Sequence, residues 1–354
     1  MSERIVKRIA VIPGDGIGPE VIAEAVAVLE VLRESHGVGL ELKHFDWGAD
    51  KFLREGVSLP AGALDMLTRE FDAILAGAFG DPRVPSNQHA EDILLGMRRG
   101  LDLYINLRPV RLLDARLTPL KSRQPEEIDF VVFRENTEGA YCGAGGFLKR
   151  GTPEEIATQE ELNTRRGVER IIVAAFEYAR AQGRRKVTMC DKSNVQRFGG
   201  DLWQRTFREV AALYDGIEAN HQYVDATAMF MVLNPAQFDV VVANNLFGDI
   251  LTDLGAALQG GLGMAASGNI HPGRVSVFEP VHGSAPPLAG KNVANPVGSI
   301  LTTAMMLEYL GHEEASRAVE RAVGDCVRAG ETTHDLGGKL STREAGEAIR
   351  RRLI

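Results

Sequence analysis

The stretch Val240-Val-Val-Ala243-Asn-Asn245-Leu-Phe-Gly-Asp249-Ile-Leu-Thr-Asp253 decides the reading of this chain. Four apolar residues in a row, ended by asparagines, fit a strand buried on both faces. A helix from Leu251 onward sets Asp249 and Asp253 one turn apart on one face. Aligned carboxylates repel unless a cation sits between them, and oxygen-only ligands suit Mg²⁺ or Mn²⁺ rather than zinc. Asp225, in His221-Gln-Tyr-Val-Asp-Ala226 after another strand-like stretch, is the third acid expected to meet them across a cleft.

Outward from this point, apolar runs alternate with helix-like segments, the pattern of an α/β protein. Residues 9–12, 71–76, 130–133, 186–190 and 275–278 read as further strands. Residues 165–182, 199–213 and 296–310 read as helices, and Val21, Ile22, Ala25, Val28, Leu29 and Leu32 keep helical spacing after the first strand. Loops rich in Gly and Pro follow several strands: Pro13-Gly-Asp-Gly-Ile-Gly-Pro19, Gly77-Ala-Phe-Gly-Asp-Pro82 and Glu279-Pro-Val-His-Gly-Ser-Ala-Pro-Pro287. Such loops at the carboxyl ends of strands are where α/β folds bind ligands. The first does not make a Rossmann fingerprint, because its third glycine comes too early and no acid closes a second strand. Cys142-Gly-Ala-Gly-Gly146 suggests the tip of a hairpin or arm.

Composition narrows the function classes. Lys and Arg total 40 against 48 Asp and Glu, a net charge of -8 over 354 residues, which disfavours a general nucleic-acid or membrane-surface binder. Cys142, Cys190 and Cys326 are far apart, with no CxxC and no zinc spacing, as in a reducing compartment. Charges interrupt the apolar residues near Met1 too often for a signal peptide, and no apolar run approaches the ~20 residues of a spanning helix. The expected location is the cytoplasm.

Arginines supply the complementary charge. Arg98 ends Glu91-Asp-Ile-Leu-Leu-Gly-Met-Arg98, Arg108 stands in Ile105-Asn-Leu-Arg-Pro109, and Arg134 follows the strand-like Phe130-Val-Val-Phe133. An arginine directly after a buried strand is costly unless an anion meets it, and bidentate carboxylate recognition is the obvious use. Tyr141 and Lys192 are candidate proton-transfer groups. Glu91, Leu94, Leu95 and Arg98 recur at i, i+3, i+4 and i+7, one helical face on which two leucines flank the arginine.

Seven ordered blocks now stand together: PGDGIGPE from Pro13, NLRP from Asn106, FRENTEGAY from Phe133, DKSN from Asp191, HQYVDA from His221, NLFGDILTDL from Asn245 and EPVHGSAP from Glu279. Together they resemble the β-decarboxylating dehydrogenases of the isopropylmalate and isocitrate dehydrogenase family. The resemblance implies an α/β, isopropylmalate dehydrogenase-like fold of two domains with mixed sheets, not Rossmann. A cofactor domain would comprise 1–103 plus 261–354, and 104–260 a dimerisation, substrate and metal domain with an arm near 140–160. Arg98, Arg108 and Arg134 match the arginines that grip substrate carboxylates, Asp225, Asp249 and Asp253 the metal ligands, and Lys192 and Tyr141 the proton-transfer pair. Ile17, His282, Gly283, Ser284, Ala285 and Asn295 match the cofactor site. The implied reaction is metal-dependent oxidative decarboxylation of a 2-hydroxy dicarboxylate, with Lys192 and Asp225 contributed by the other subunit of a homodimer.

Within the family, Leu94 and Leu95 favour a branched alkyl group at C3, so 3-isopropylmalate, giving 2-oxo-4-methylpentanoate in leucine biosynthesis, is the expected substrate. Burying a third carboxylate beside leucines without a partner costs several kcal/mol. D-malate or tartrate, homoisocitrate and isocitrate are the alternatives, with a non-catalytic subunit as a different class. NAD is expected over NADP because Pro287-Leu288 replaces the Lys-Tyr pair of NADP-dependent isocitrate enzymes. Pro287 also departs from the acid usual in NAD-dependent members.

Overall fold

The computed structural model describes residues 6–354. Along the chain come β1 (Lys7–Gly14), α1 (Gly18–Ser35), β2 (Leu40–His44), α2 (Ala49–Glu55), α3 (Ala63–Glu70), β3 (Ala73–Ala78) and α4 (Gln88–Gly100). Next are β4 (Ile105–Arg111), β5 (Asp129–Glu135), β6 (Gly145–Leu148), β7 (Ile156–Gln159), α5 (Arg165–Ala181), β8 (Lys186–Asp191), α6 (Arg197–Ala211), β9 (Glu218–Tyr223), α7 (Val224–Leu233), β10 (Val240–Ala243) and α8 (Asn245–Leu258). The chain ends with β11 (Ala266–Ile270), β12 (Ser276–Pro280), α9 (Val297–Tyr309), α10 (Glu313–Ala329) and α11 (Thr342–Arg350).

Two compact units divide these elements. The terminal unit holds Met1–Leu103, Arg111–Pro125 and Ala256–Ile354, and the middle unit Tyr104–Val110 and Glu126–Gly255. Residues 111–125 and 256–260 thus join the terminal unit rather than the middle one expected from the sequence. Tertiary bonds account for this: the Arg111 N–H donates to Gln259 Oε1 at 2.8 Å, and Arg116 Nη2 donates to the Val327 carbonyl at 2.9 Å.

In the terminal unit the strands run in the order β2-β1-β3-β12-β11. All neighbours are parallel except β11 and β12, which makes the sheet mixed. β3 and β12 are buried along their whole lengths. The six apolar residues of α1 with helical spacing are all buried, so periodicity there reported a real core face.

In the middle unit the order is β4-β5-β10-β8-β9, with β10 parallel to β5 and β8, and β8 parallel to β9. All four residues of β10 are buried, as their unbroken apolar run requires. α5 buries Val168, Ile171, Ile172, Ala175, Phe176 and Ala179, one helical stripe. β6 and β7 form an exposed antiparallel hairpin in the region read as an arm, but Gly145 and Gly146 pair with Gln159 and Thr158 at its base, and the tip is the turn between Leu148 and Ile156.

The helix carrying the aspartates begins at Asn245, six residues before the expected Leu251. Asn244 is the reason: its Oδ1 accepts the Phe247 N–H at 2.8 Å, satisfying an orphan donor of the first turn. All three cysteines are free, and burial pushes the Cys190 thiol up to about 12. Among the described residues no helix is long and apolar enough to cross a membrane.

Candidate active site

Arg134 is the penultimate residue of β5, and its side chain is only 2% exposed. Its Nε and Nη2 donate to Asn245 Oδ1 at 3.0 and 2.7 Å, and its Nη1 donates to Asp249 Oδ1. Arg108, on β4, donates through Nη1 to Thr252 Oγ1 at 2.7 Å and to Asp249 Oδ1 at 3.3 Å. The Tyr141 hydroxyl donates to Asp249 Oδ2 at 2.7 Å, and its ring centroid lies 5.2 Å from the Arg134 guanidinium carbon. Two guanidinium groups and a phenol therefore converge on one partly exposed carboxylate. Positive charge gathered on one carboxylate in this way is the kind of arrangement that suits recognition of anionic oxygen.

α8 holds this cluster because Gly248 lets it lie against Arg134. A Cβ at Gly248 would stand 2.6 Å from Arg134 Cβ. Asn245 and Thr252, which orient the two arginines, escaped the sequence reading, although both lie in the NLFGDILTDL block. Their spacing from Asp249, at i-4 and i+3, was the available signal.

Lys192 follows β8, and its Nζ donates to Asp225 Oδ1 at 2.6 Å. That bond holds the Asp225 carboxyl below the usual carboxylate range. Asp191 shapes the Lys192 turn by accepting the Ser193 N–H at 3.0 Å and meeting His221 Nε2 at 2.7 Å. Asp225 sits in the first turn of α7.

Asp249 and the exposed Asp253, one turn apart on α8, offer only oxygen donors and so fit a hard divalent cation. The expected meeting of both with Asp225 does not occur within one chain: among the described residues no three acids, histidines or cysteines gather where they could hold a metal ion. Asp225 is instead turned to Lys192.

In the terminal unit the loop after β1 docks on the loop after β12. The Ile17 N–H donates to the Ser284 carbonyl at 2.8 Å. Gly16 makes this approach possible, with φ of +60° and a hypothetical Cβ only 2.0 Å from that same oxygen. Ile17, His282, Ser284 and Asn295 are buried, Gly283 is exposed, and Ala285 is left-handed at φ +40°. Asn295 Nδ2 donates to Asp335 Oδ2 at 2.9 Å, and its Oδ1 accepts the Val297 N–H. Burial lowers the His282 pKa, and its Nε2 has no hydrogen-bond partner among the described residues. A buried ring nitrogen without a partner, beside an exposed glycine loop, fits a ligand rich in hydrogen-bonding atoms. A cleft of about 710 Å³ lined by Gly14, Asp15, Gly16, Trp47, Gly80 and Pro286 opens in the same unit.

α4 carries Glu91, Leu94, Leu95 and Arg98. Arg98 Nη2 donates to Glu279 Oε1 at 3.1 Å, and Asn269 Nδ2 donates to the same oxygen at 2.8 Å. Glu91 is exposed and Leu95 half-buried. Leu94 packs against the unit's apolar core, so the two leucines are not equivalent.

Comparison with known proteins bears on the chain as a whole. The profile of the isocitrate/isopropylmalate dehydrogenase family matches residues 8–349. A 3-isopropylmalate dehydrogenase of Thermobifida fusca is 48% identical over 355 residues, covering 100% of this chain and 99% of that protein. Another from Corynebacterium glutamicum is 47% identical over 345 residues, covering 97% and 98%. Among solved structures, isocitrate dehydrogenase from Methylococcus capsulatus superposes with a TM-score of 0.89 at 38% identity, covering 98% of this chain and 99% of that one. A Thermus thermophilus protein superposes with a TM-score of 0.87 at 38% identity, covering 99% of this chain and 69% of that one. With its family profile matched nearly end to end and a relative 48% identical over its full length, the chain belongs to the isocitrate/isopropylmalate dehydrogenase family.

Proposed function

We propose that this chain is an NAD-dependent 3-isopropylmalate dehydrogenase of leucine biosynthesis, working in the cytoplasm with Mg²⁺ or Mn²⁺. The observation that carries the substrate choice is the 48% identity, over the full length, to a protein of that name. Half-buried Leu95 on the Arg98 helix supports it as an apolar contact for the C3 alkyl group.

Asp249 and Asp253, with Asp225 from a second copy, are assigned to the cation. Ile17, His282, Gly283, Ser284, Ala285 and Asn295 are assigned to the dinucleotide. When bound, the dinucleotide is the hydride acceptor for C2 and the cation a Lewis acid toward the C2 oxygen. Arg108 and Arg134 bind substrate carboxylate, as their convergence on Asp249 equips them to do, and Arg98 is assigned the same task. Lys192, from the same second copy as Asp225, takes the hydroxyl proton from the C2 oxygen. After CO₂ leaves C3, Tyr141 delivers a proton to that carbon, its hydroxyl being oriented by Asp249.

A homodimer completes this scheme. α7, which carries Asp225, exposes Met229, Val232 and Leu233, and α8 exposes Ile250 beside Asp249. Apolar side chains clustered around the acids suit contact with another copy. The decisive experiment is a panel of 3-isopropylmalate, D-malate, tartrate, isocitrate and homoisocitrate against NAD and NADP, with Mg²⁺, Mn²⁺ or chelator. Highest kcat/KM on 3-isopropylmalate with NAD, abolished by chelator, is expected. Faster turnover of another acid overturns the assignment.

A further inference from the structure

His89 lies in the first turn of α4, fully buried, two residues before Glu91. Its Nε2 is 2.8 Å from Asp15 Oδ2, and the Phe52 ring stacks on it at 6.0 Å between centroids. Asp15 is itself buried within the Gly14-Asp15-Gly16 loop. Its Oδ1 accepts the Ala49 N–H at 2.6 Å, its Oδ2 accepts the Gly80 N–H at 2.8 Å, and its own N–H donates to the Ala78 carbonyl at 2.7 Å. One carboxylate thus ties together the loops after β1, β2 and β3. The histidine adds α4 to the same knot. An acceptor oxygen faces Nε2, so that nitrogen carries the hydrogen.

The start of α4 needs such a hold. Ser86 and Asn87, immediately before it, both have φ of +56°, a conformation that non-glycine residues keep only where their surroundings enforce it. Asn87 Oδ1 accepts the Asp81 N–H at 3.0 Å, and His89 provides the next anchor along the chain.

We propose that His89 is a positioning residue: through Asp15 it locks the start of the substrate-reading helix α4 to the cofactor loop that bears Ile17. This rests on the cofactor and substrate roles proposed above for Ile17, Glu91, Leu95 and Arg98. His89 touches no reacting atom. Tyr141 and Lys192 belong to the other unit, so the step they perform is unchanged once both ligands saturate.

The test compares His89→Leu, which removes the donor, with His89→Gln, whose Nε2 reaches a similar position. Steady-state kinetics with 3-isopropylmalate, NAD and Mn²⁺ are paired with calorimetric titration of NAD alone into the dimer. H89L is expected to raise the KM for NAD and for 3-isopropylmalate about tenfold, the effect of losing one hydrogen bond to a charged group, with kcat within about threefold. H89Q is expected to return both KM values to within about threefold of wild type. Unchanged KM values in H89L, or H89Q as impaired as H89L, overturn the proposal. If H89L fails to fold, His89→Asn, too short to reach Asp15, takes its place beside H89Q with the same criteria. A wild-type protein that ignores 3-isopropylmalate overturns the substrate assignment instead, and the NAD titration then decides the role of His89.

Discussion

Replacing Gly248 by alanine puts a single methyl group where the site can least accept one. The new Cβ would lie 2.6 Å from Arg134 Cβ, 2.7 Å from its Cγ and 3.1 Å from its Cα. Carbon contacts are comfortable from about 3.5 Å, so roughly 1 Å of separation has to be found. β5 cannot supply it, being held between β4 and β10. α8 must therefore lean away, and Asp249, the next residue, moves with it. Alanine gains about 1 kcal/mol of helix propensity while the overlap costs about 1–3 kcal/mol, so the net destabilisation is only about 0–2 kcal/mol. A shift of that size between Asp249 and the arginines is expected to lower kcat/KM on the order of 10²-fold. The assay is NADH formation from 3-isopropylmalate with Mn²⁺, alongside the urea midpoint. Gly146→Ala, on the exposed hairpin with nothing within 4 Å of its Cβ, is the control for both readings. If G248A keeps kcat/KM within about threefold of wild type, the packing argument for the Arg134 and Asp249 cluster is wrong.

Tyr141→Phe removes the proposed proton donor and one of the bonds to Asp249; kcat is expected to fall by at least about 10²-fold with a stability loss of about 1 kcal/mol. Rapid turnover by Y141F, measured as NADH formation and as release of 2-oxo-4-methylpentanoate, would remove the tyrosine from the mechanism. Burial depresses the His282 pKa below its ordinary 6.5, so the unfolded chain binds the proton first: the associated stability is complete above that value and is lost as pH falls through and below it. The urea midpoint of wild type is expected to drop more between pH 8 and pH 5.5 than that of His282→Gln, and equal drops would refute the linkage.

The parts of the molecule legible in the sequence are those where one physical requirement dominates. β10 announces itself because a strand buried on both faces tolerates no polar residue, and α1 because its apolar stripe keeps the helical period. β2 is silent by the same logic: Leu40-Glu-Leu-Lys-His44 sits at the sheet edge with much of its length exposed. The early start of α8 was encoded in Asn244, but a cap beside an apolar strand reads equally well as a loop. Arg134, Asp249 and Tyr141 could be named singly from their motifs. Their convergence could not, since Tyr141 and Asp249 are 108 positions apart and only the fold brings them together. His89 stayed hidden for the same reason: a histidine in a helical segment gives no hint of a carboxylate 74 positions earlier.

The strand order of the terminal unit also sets the sequence of events at the ribosome. β3 takes β12 as a neighbour, pairing Ala73 with Ser276, so its partner emerges roughly 200 residues later. At translation rates of ~5–20 residues per second the delay is on the order of 10–40 s. Until then Ala-Ile-Leu-Ala-Gly-Ala, which ends fully buried, presents an open apolar edge, while most of the middle unit's chain has already been made. Through that interval the edge of β3 is a place where nascent chains can associate, and faster growth of the chain shortens the exposure.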